Sequence, residues 1–346
     1  IWVHDANRST IKNCTIIGGN GRGGNKACIF IGGRIAGVAK LIGTPIWDYN
    51  VAEGTKGHTI QNNTFRYLNA GNGWGIFAVK LTDDSLIKGN TFNGDAADLA
   101  AWNVSTNEGA PGTCIQIHSA TNGSGTYAVV IEDNTAQYVK YSLVTFTASY
   151  PYNDSDGYMY EQQEVSTVED VNVKNNTVHN LGENALHKNG AAITFQGQKR
   201  YDAYAPGTAD LTIGAGGVII RNNALYDNGI GVNIKAPNYS DPAHDPAGDG
   251  TYGCVLSADN ITCGPNNRIF GNYNYNGINL GYGLYNGTIE ANQTGGAKTI
   301  TAEYNWWGFY GPRNTATNPT GLGNQVSNSV DYSPYWANSV MTYHIP

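Results

Sequence analysis

Charge is scarce in this sequence, and long apolar runs are missing. Only 14% of the 346 residues are charged, with 20 Lys and Arg against 27 Asp and Glu, which gives a formal net charge of −7. Nucleic-acid binding needs clustered cations that displace counterions from phosphates, so we predict no nucleic-acid partner. No segment approaches the roughly 20 apolar residues of a membrane-spanning helix, and we predict no membrane span in this chain.

Cysteine is also scarce, with five residues in the chain. Cys28 and Cys114 occupy equivalent places in a repeated strand-like segment, which is typical of structural thiols. Cys254 and Cys263 lie in a loop rich in Gly, Pro and Asp. They either close a small disulfide, as expected in an oxidising compartment, or remain two unpaired thiols.

What the sequence has in abundance is a repeated motif, of which SLIKGNTFN at 85–93 is representative. Each copy places a branched or small apolar residue three positions before an asparagine, as in Ile87 and Asn90. Because side chains on a strand alternate between faces, the chain must bend between these two residues, and the buried amides are expected to bond from copy to copy. The predicted column contains Asn63, Asn90, Asn134, Asn176, Asn223, Asn272 and Asn305, with Cys14 in the slot of the first copy.

A second strand-like segment separates the copies, for example TCIQIHS at 113–119. The shortest repeat spans 27 residues, from Asn63 to Asn90, which accommodates two or three short strands and their turns. Units of this size cannot bury a core alone and must stack, so the pattern predicts an all-β solenoid, a right-handed parallel β-helix. Strict alternation directs inward Ile115, Ile117, Val144, Phe146, Ile193, Phe195, Val232 and Ile234.

Several motifs resemble those of a known superfamily. The I-x-x-N-x-F repeats, AEYNWWG at 302–308 followed by Gly311 and Pro312, and VDYSPYW at 330–336 look like the parallel β-helix repeats of secreted and surface proteins in the pectate-lyase-like superfamily. The resemblance covers nearly the whole chain and implies a right-handed parallel β-helix. The superfamily includes polysaccharide lyases, glycoside hydrolases, epimerases, phage tail proteins and non-catalytic adhesins. Among the adhesins are the cellulose-binding tāpirins, which this chain also resembles in its loop-decorated helix. Such a fold does not assign a reaction.

We predict one elongated domain. Residues 1–304 are expected to form the helix with its loop insertions, and 305–346 to form a capping segment of the same domain. The chain starts at Ile1, without Met, inside a strand-like segment, so we expect that a missing N-terminal part covers the first rung. The rings expected to cover the last rung, rather than to contact a sugar, are Trp306, Trp307, Tyr332, Tyr335 and Trp336.

The long insertions are predicted to form the functional face. Most of them follow the second strand type and precede the asparagine motif, so stacking places them together on one side of the helix. They are rich in aromatic residues, whose flat apolar faces and polar edges suit sugar rings; the competing interpretation is that the rings pack the loops onto the helix. The predicted carbohydrate-binding residues are Trp47, Tyr152, Tyr158, Tyr201, Tyr204 and Tyr252.

Catalysis is an alternative hypothesis. Lys80 and His118 belong to an outward column of the second strand type and are predicted to stand one rung apart. A β-elimination lyase needs a cation that stabilises enolate-like charge and a base that removes the proton beside a uronate carboxyl, and these residue types match. The competing interpretation is a solvated sheet face with chance basic residues.

Acidic pairs suggest a glycoside hydrolase or a metal site. Glycoside hydrolysis uses two carboxyls about 5–9.5 Å apart, for which Asp83 with Asp84 and Asp154 with Asp156 are candidates. An EF-hand is excluded, because Gln163 stands where the bidentate glutamate is needed. Ca²⁺ at Asp154 and Asp156 is therefore predicted only as a looser site.

The sequence favours binding over catalysis, because it lacks a dense cluster of carboxylates with Arg or Lys. We predict a secreted or cell-surface protein of prokaryotic origin that binds a polysaccharide, such as a plant cell-wall glycan, and acts in adhesion. The alternatives are a polysaccharide lyase or glycoside hydrolase and a structural surface-layer or filament subunit. No cofactor is predicted apart from Ca²⁺.

Overall fold

The chain folds into a parallel β-solenoid. A computed structural model describes residues 1–4, 6–18, 27–32, 55–67, 74–94, 112–139, 141–147, 166–181, 190–196, 198–199, 208–209, 211–235, 256–257, 259–272, 281–289, 298–309 and 311–345. Within these residues, parallel strands stack into four sheets, numbered 1 to 4 in the order in which the chain passes through them. One passage through the sheets is a rung, and each strand pairs in register with strands of the neighbouring rungs.

Sheets 1 and 3 each contain nine of the described strands. The strands of sheet 1 are Trp2–His4, Ala27–Gly32, Trp74–Ala78, Thr113–Ile117, Val144–Thr147, Ala191–Gln196, Ile230–Lys235, Tyr282–Asn286 and Gln325–Val326. The strands of sheet 3 are Thr10–Lys12, Thr59–Gln61, Ser85–Lys88, Val129–Glu132, Val171–Lys174, Val218–Arg221, Ile261–Cys263, Ile300–Thr301 and Val330–Asp331.

Sheets 2 and 4 contain six and seven described strands. The strands of sheet 2 are Thr55–Lys56, Leu81–Thr82, Ala120–Thr121, Ser166–Val168, Leu211–Ile213 and Leu256–Ser257. Those of sheet 4 are Thr15–Gly18, Thr64–Tyr67, Thr91–Asn93, Thr135–Gln137, Thr177–His179, Ala224–Tyr226 and Arg268–Phe270. Two antiparallel pairs, Gln198–Lys199 with Thr208–Ala209 and Tyr335–Trp336 with His344–Ile345, and a 3₁₀ helix at Gly287–Ile289 complete the described elements. In this part of the chain, no helix has the length and apolarity of a membrane span.

The interior consists of apolar rows with one residue per rung. In sheet 1 the residues of one such row are each 0% exposed: Ile29, Ile76, Ile115, Val144, Ile193, Val232 and Leu284. In sheet 4, Phe65 and Phe92 stack with ring centroids 4.6 Å apart. The inward alternation predicted for sheet 1 is confirmed, from Ile115 to Ile234. Each rung adds only a few buried side chains, so its stability depends on its neighbours.

An asparagine ladder fixes the bend between sheets 3 and 4. The Oδ1 atom of Asn134 accepts hydrogen bonds from the backbone N–H and the Nδ2 of Asn90, at 2.9 and 3.0 Å. Its own Nδ2 donates to the Ile87 carbonyl and to Oδ1 of Asn176, both at 3.0 Å. The preceding residue is left-handed, as at Asp133 with φ of 57°, which favours Asn, Asp and Gly there. The ladder residues, all 0–1% exposed, are Asn63, Asn90, Asn134, Asn176, Asn223, Asn267 and Asn305.

One predicted member of this column is wrong. Asn267, rather than Asn272, accepts the hydrogen bond from the Asn223 backbone N–H. Cys263 pairs with Ile220 in the apolar row. Cys263 stands four positions before Asn267, whereas Ile220 stands three positions before Asn223. The extra residue hid the true repeat, because a fixed spacing was assumed.

Asn272 belongs to a second ladder at the bend after sheet 4. The backbone N–H of Asn228 donates to Oδ1 of Asn272 at 3.0 Å, and the backbone N–H of Asn272 donates to Oδ1 of Asn324 at 3.2 Å. All three side chains are at most 4% exposed. Side-chain amides therefore stabilise two bends of the later rungs.

The described cysteines are core or bend residues. Cys263 is a free thiol that is 0% exposed, and burial raises its pKa to about 12. Of the two alternatives, the free thiol at Cys263 fits unpaired thiols; Cys254 lies outside the described residues. The backbone N–H of Cys14 donates to Oδ1 of Asn63, which confirms its place in the asparagine slot. The equivalence of Cys28 and Cys114 is confirmed by the register of the residues that follow them.

The last described segment continues the sheets. Gln325–Val326 pairs with Tyr282–Asn286, and Val330–Asp331 pairs with Ile300–Thr301. Trp307 is 0% exposed within the core, and Tyr332 and Tyr335 pack against that core. The ring of Trp306, in contrast, is partly exposed and contacts the outward ring of Phe270.

Replacing Asn134 or Asn176 with Leu should lower the free energy of unfolding by about 1–3 kcal/mol, because the neighbouring rungs lose partners for buried amide and carbonyl groups. Thermal or denaturant unfolding measures this effect. Gln61→Leu is the matched control, since Gln61 lies on the same sheet but faces outward and is half-buried. Equal stability of all three variants would show that the ladder does not hold the rungs together.

A histidine occupies one inward row. His58 is 2% exposed and lies beside Ser85, whose position is taken in later rungs by Val129, Val171 and Val218. Among the described residues neither ring nitrogen has a hydrogen-bond partner, and burial lowers the pKa of His58 from its ordinary value of 6.5. Protonation is therefore easier in the unfolded state than in the folded state.

The free energy of unfolding should depend less steeply on pH below about pH 6.5 in the His58→Val variant than in the wild type. Because the folded-state pKa is the lower one, the unfolded state binds more protons below about pH 6.5, and the free energy of unfolding falls as the pH decreases from there. Urea unfolding at a series of pH values measures the slope. His344→Gln, which removes an exposed imidazole, is the control. An unchanged slope in His58→Val would contradict the assignment.

Candidate functional site

A row of planar side chains follows the outer face of sheet 4. After each ladder asparagine from Asn63 to Asn267 the chain contributes one outward, one inward and one outward residue, as in Thr177, Val178 and His179. The second outward residues are in register from rung to rung. We call this row the sheet-4 strip: Arg66, Asn93, Gln137, His179, Tyr226 and Phe270, continued by the ring of Trp306.

The later half of the strip is aromatic. The rings of His179 and Tyr226 have centroids 5.0 Å apart and planes within 6°, and those of Tyr226 and Phe270 are 5.1 Å apart and within 11°. Trp306 adds a tilted ring 4.9 Å from Phe270. All four side chains are partly exposed. The solenoid thus presents three rings in line at the spacing of its rungs, and Trp306, which pairs with Arg268 in the neighbouring column, contacts the last of them.

The earlier half of the strip is polar. Nε2 of Gln137 donates to Oδ1 of Asn93 at 2.8 Å, so Nδ2 of Asn93 and Oε1 of Gln137 can bond to a ligand. Arg66 is exposed at the next rung. A parallel row of outward threonines lies beside this half: Thr15, Thr64, Thr91, Thr135 and Thr177.

Two aromatic residues of the strip, Tyr226 and His179, also carry polar atoms that can form hydrogen bonds. Partial burial, and secondly the charge of Asp227, raise the pKa of Tyr226, so its hydroxyl stays protonated at neutral pH and can both donate and accept a hydrogen bond. The Nδ2 of Asn180 lies 2.9 Å from Nδ1 of His179 and orients the imidazole. The strip therefore combines apolar ring surface with hydrogen-bonding edges.

No protein-family model, curated protein or solved structure matches the chain. A role for the strip therefore depends on its geometry.

The predicted lyase pair is arranged differently from the expected column. Ile117 pairs with Ala78, so the next residue, His118, lies beside Val79, and Lys80 is one position further on, at a bend with φ of 52°. The expectation that Lys80 and His118 occupy one column is thus wrong by one residue. Their predicted role as catalytic residues stays a prediction.

The surroundings of His118 do not favour base catalysis. The side chain is 7% exposed, its ring centroid is 4.6 Å from that of Phe77, and its Nε2 is 2.8 Å from Nε2 of Gln116. Burial lowers the pKa of His118 to about 3. A general base works best with a pKa near the operating pH and within reach of the substrate, and a shielded imidazole of low basicity lacks both properties.

Asp83 and Asp84 hold a loop. Both have positive φ, and Oδ1 of Asp83 accepts hydrogen bonds from the backbone N–H groups of 123–125 at 2.7–3.2 Å, while Oδ1 of Asp84 accepts one from Thr126. The hydrogen bond from Ser124 is the main cause that lowers the pKa of Asp83. A glycosidase acid needs a raised pKa, so these bonds fit an anchoring role better.

The site residues predicted in the long loops lie outside the part of the chain that the structure describes. Asp154 and Asp156, proposed for Ca²⁺, lie outside the described residues, as do the six predicted carbohydrate-binding aromatics Trp47, Tyr152, Tyr158, Tyr201, Tyr204 and Tyr252. Within the described ranges, no group of three or more His, Cys, Asp or Glu side chains is arranged to hold a metal ion.

The outer face of sheet 3 carries an ion-pair row. Glu132 lies between Lys88 and Lys174, which belong to the two neighbouring rungs, with N–O distances of 2.7 and 2.8 Å. Hydrogen bonds from Lys174 and then Lys88 lower the pKa of Glu132. Such surface pairs stabilise little.

Sequence reasoning missed the sheet-4 strip for a specific reason. His179, Tyr226 and Phe270 each stand three positions after a ladder asparagine. When the repeats are aligned on Asn272 instead of Asn267, Phe270 no longer stands three positions after the asparagine. The row of aromatic residues is then not visible in the sequence. Trp306 is predicted to belong to the cap because it lies in the terminal segment of the chain.

The His118 imidazole should stay neutral from pH 7 down to about pH 4, because burial disfavours its charged form. An NMR titration of the histidine ring carbons, assigned with His118→Gln, measures this directly. A titration midpoint near the ordinary pKa of 6.5 would mean that the His118 ring is solvated, and His118 would then again be a candidate for a catalytic base.

Proposed function

We propose that this protein binds a polysaccharide through the sheet-4 strip. The observation that carries the proposal is a row of three partly exposed rings, His179, Tyr226 and Phe270, which the partly exposed ring of Trp306 extends beside Phe270, with neighbouring centroids 4.9–5.1 Å apart. Aromatic rings present an apolar face and, in Tyr, Trp and His, a polar edge. A sugar ring has C–H groups on its faces and hydroxyls around its rim, which is the complementary pattern.

The stacked rings cover one another only in part. Carbon atoms in contact are about 3.5–4.0 Å apart, and aromatic pairs prefer offset stacking to a face-to-face sandwich. Parallel rings whose centroids are 5.0 Å apart, such as His179 and Tyr226, are therefore displaced sideways when their faces touch. Each side chain of the row stays partly exposed, so its ring edge and the uncovered part of its ring can contact a ligand that lies along the row.

The wider setting of this proposal comes from the sequence motifs. Their resemblance to the pectate-lyase-like superfamily supports a right-handed parallel β-helix, closed at its end by the aromatic segment 305–346, in a secreted or cell-surface protein that adheres to a glycan such as one of the plant cell wall. The aromatic loops around Trp47, Tyr152, Tyr158, Tyr201, Tyr204 and Tyr252 would add a second contact surface. Binding without turnover is the proposed activity.

Alanine at Tyr226, Phe270 or Trp306 should weaken retention on an insoluble polysaccharide by about 0.5–1.5 kcal/mol per ring, since each change removes one stacking surface. Depletion isotherms on a panel of cell-wall polysaccharides measure this effect. Released reducing ends and ultraviolet-absorbing products should be measured in the same samples. Circular dichroism and unfolding curves establish that each variant folds.

The matched control reverses the sheet 3 ion pairs with Lys88→Glu, Glu132→Lys and Lys174→Glu, and adds Asp133→Asn because the Asp133 carboxylate lies 3.3 Å from the Lys88 ammonium, so that opposite charges stay adjacent. This variant should bind like the wild type, and added salt should have little effect, because stacking on a neutral glycan has no ion pair to screen. Retention that survives loss of all three rings but collapses with salt would overturn the proposal. Product release would indicate an enzyme instead.

A further inference from the structure

We propose that the ligand is an extended, neutral glycan chain that lies parallel to the solenoid axis, with one sugar at each rung of the sheet-4 strip. This inference rests on the proposed function and adds the shape, charge and length of the ligand. It follows from three properties of the strip: its straightness, its change from rings to amides, and its low charge.

The strip is straight because the strands that carry it are in register. Gln137 pairs with His179, His179 with Tyr226, and Tyr226 with Phe270, without a shift between rungs. Neighbouring parallel strands are about 4.8 Å apart, which is close to the advance per sugar of an extended equatorially linked chain. Successive sugars can therefore make the same contact at successive rungs. A coiled α-linked chain would leave the row after one or two contacts.

The polar half continues the same line. Asn93 and Gln137 pair in register with each other, and Gln137 pairs with the first ring residue, His179. Two threonines of the flanking row, Thr91 and Thr135, belong to these same two rungs and pair with each other. Each of these rungs therefore offers a hydroxyl and a planar amide, which suits the hydroxyl rim of a sugar that the rings have already aligned.

Charge on the strip is confined to its first rung. Between Asn93 and Trp306 the row consists of amides, an imidazole, a phenol and apolar rings, and Arg66 is its one permanently charged side chain. A uronate polymer would place a carboxylate at every rung, whereas the strip and the row beside it offer two cations, Arg66 and the exposed Arg268 of the Phe270 rung, at opposite ends of the strip. An uncharged chain matches the row better.

The test is affinity against ligand length. Calorimetry with β-1,4-linked gluco-oligosaccharides of two to eight sugars, alongside α-1,4-linked oligomers of equal length, should show affinity rising about two- to tenfold per added sugar in the β series alone, up to about seven sugars. The double variant Asn93→Ala, Gln137→Ala should bind the tetramer like the wild type and lose the further gain of longer chains. Gln61→Ala on sheet 3 is its control.

The possible results separate the two proposals. If the double variant weakens the tetramer and the heptamer equally, or neither, or if α-linked chains bind as well, the axial one-sugar-per-rung arrangement is wrong while polysaccharide binding stands. If neither oligomers nor polymers bind, or if removing the rings leaves polymer retention intact, the proposed function itself is overturned.

Discussion

The hydrogen bonds between buried asparagine side chains are the constraint on which this structure depends. Each ladder amide from Asn63 to Asn267 donates to a carbonyl of one neighbouring rung and to the amide oxygen of the other, as Asn134 does to Ile87 and Asn176. Slipping a strand by one residue would exchange its inward and outward side chains and break these bonds. The ladder even overrides chain spacing, since the extra residue before Asn267 is accommodated without loss of its bond to Asn223.

Because the strands of neighbouring rungs pair in register, residues at the same position of the repeat form rows on the surface of the solenoid. Because every rung is aligned at the bend, the residue three positions after the asparagine always emerges at the same height on sheet 4, and chemically similar residues become neighbours. The rings of His179, Tyr226 and Phe270 form a line in this way, and Trp306, one position after Asn305, contacts Phe270 from the neighbouring column. The same alignment places Lys88, Glu132 and Lys174 side by side on sheet 3, where they only neutralise one another.

Burial distinguishes residues of similar type that have different roles. His118 has a shielded imidazole whose pKa is lowered to about 3, whereas His179 is partly exposed and stacks on Tyr226. Asp83 has its carboxylate occupied by backbone N–H groups. The residue types that suggested catalysis are thus engaged in packing and loop anchoring, while the strip turns its ring edges and amides toward solvent.

The solenoid, the inward rows and most of the asparagine column could be predicted from the sequence, because they follow from a local periodicity that every rung repeats. The place of Asn267 and Cys263 could not, since long-range hydrogen bonds accommodate an extra residue there. The contact between Phe270 and Trp306 outside the core also emerges only in the folded chain, because it joins residues 36 positions apart and sequence spacing does not encode which face of the solenoid they share.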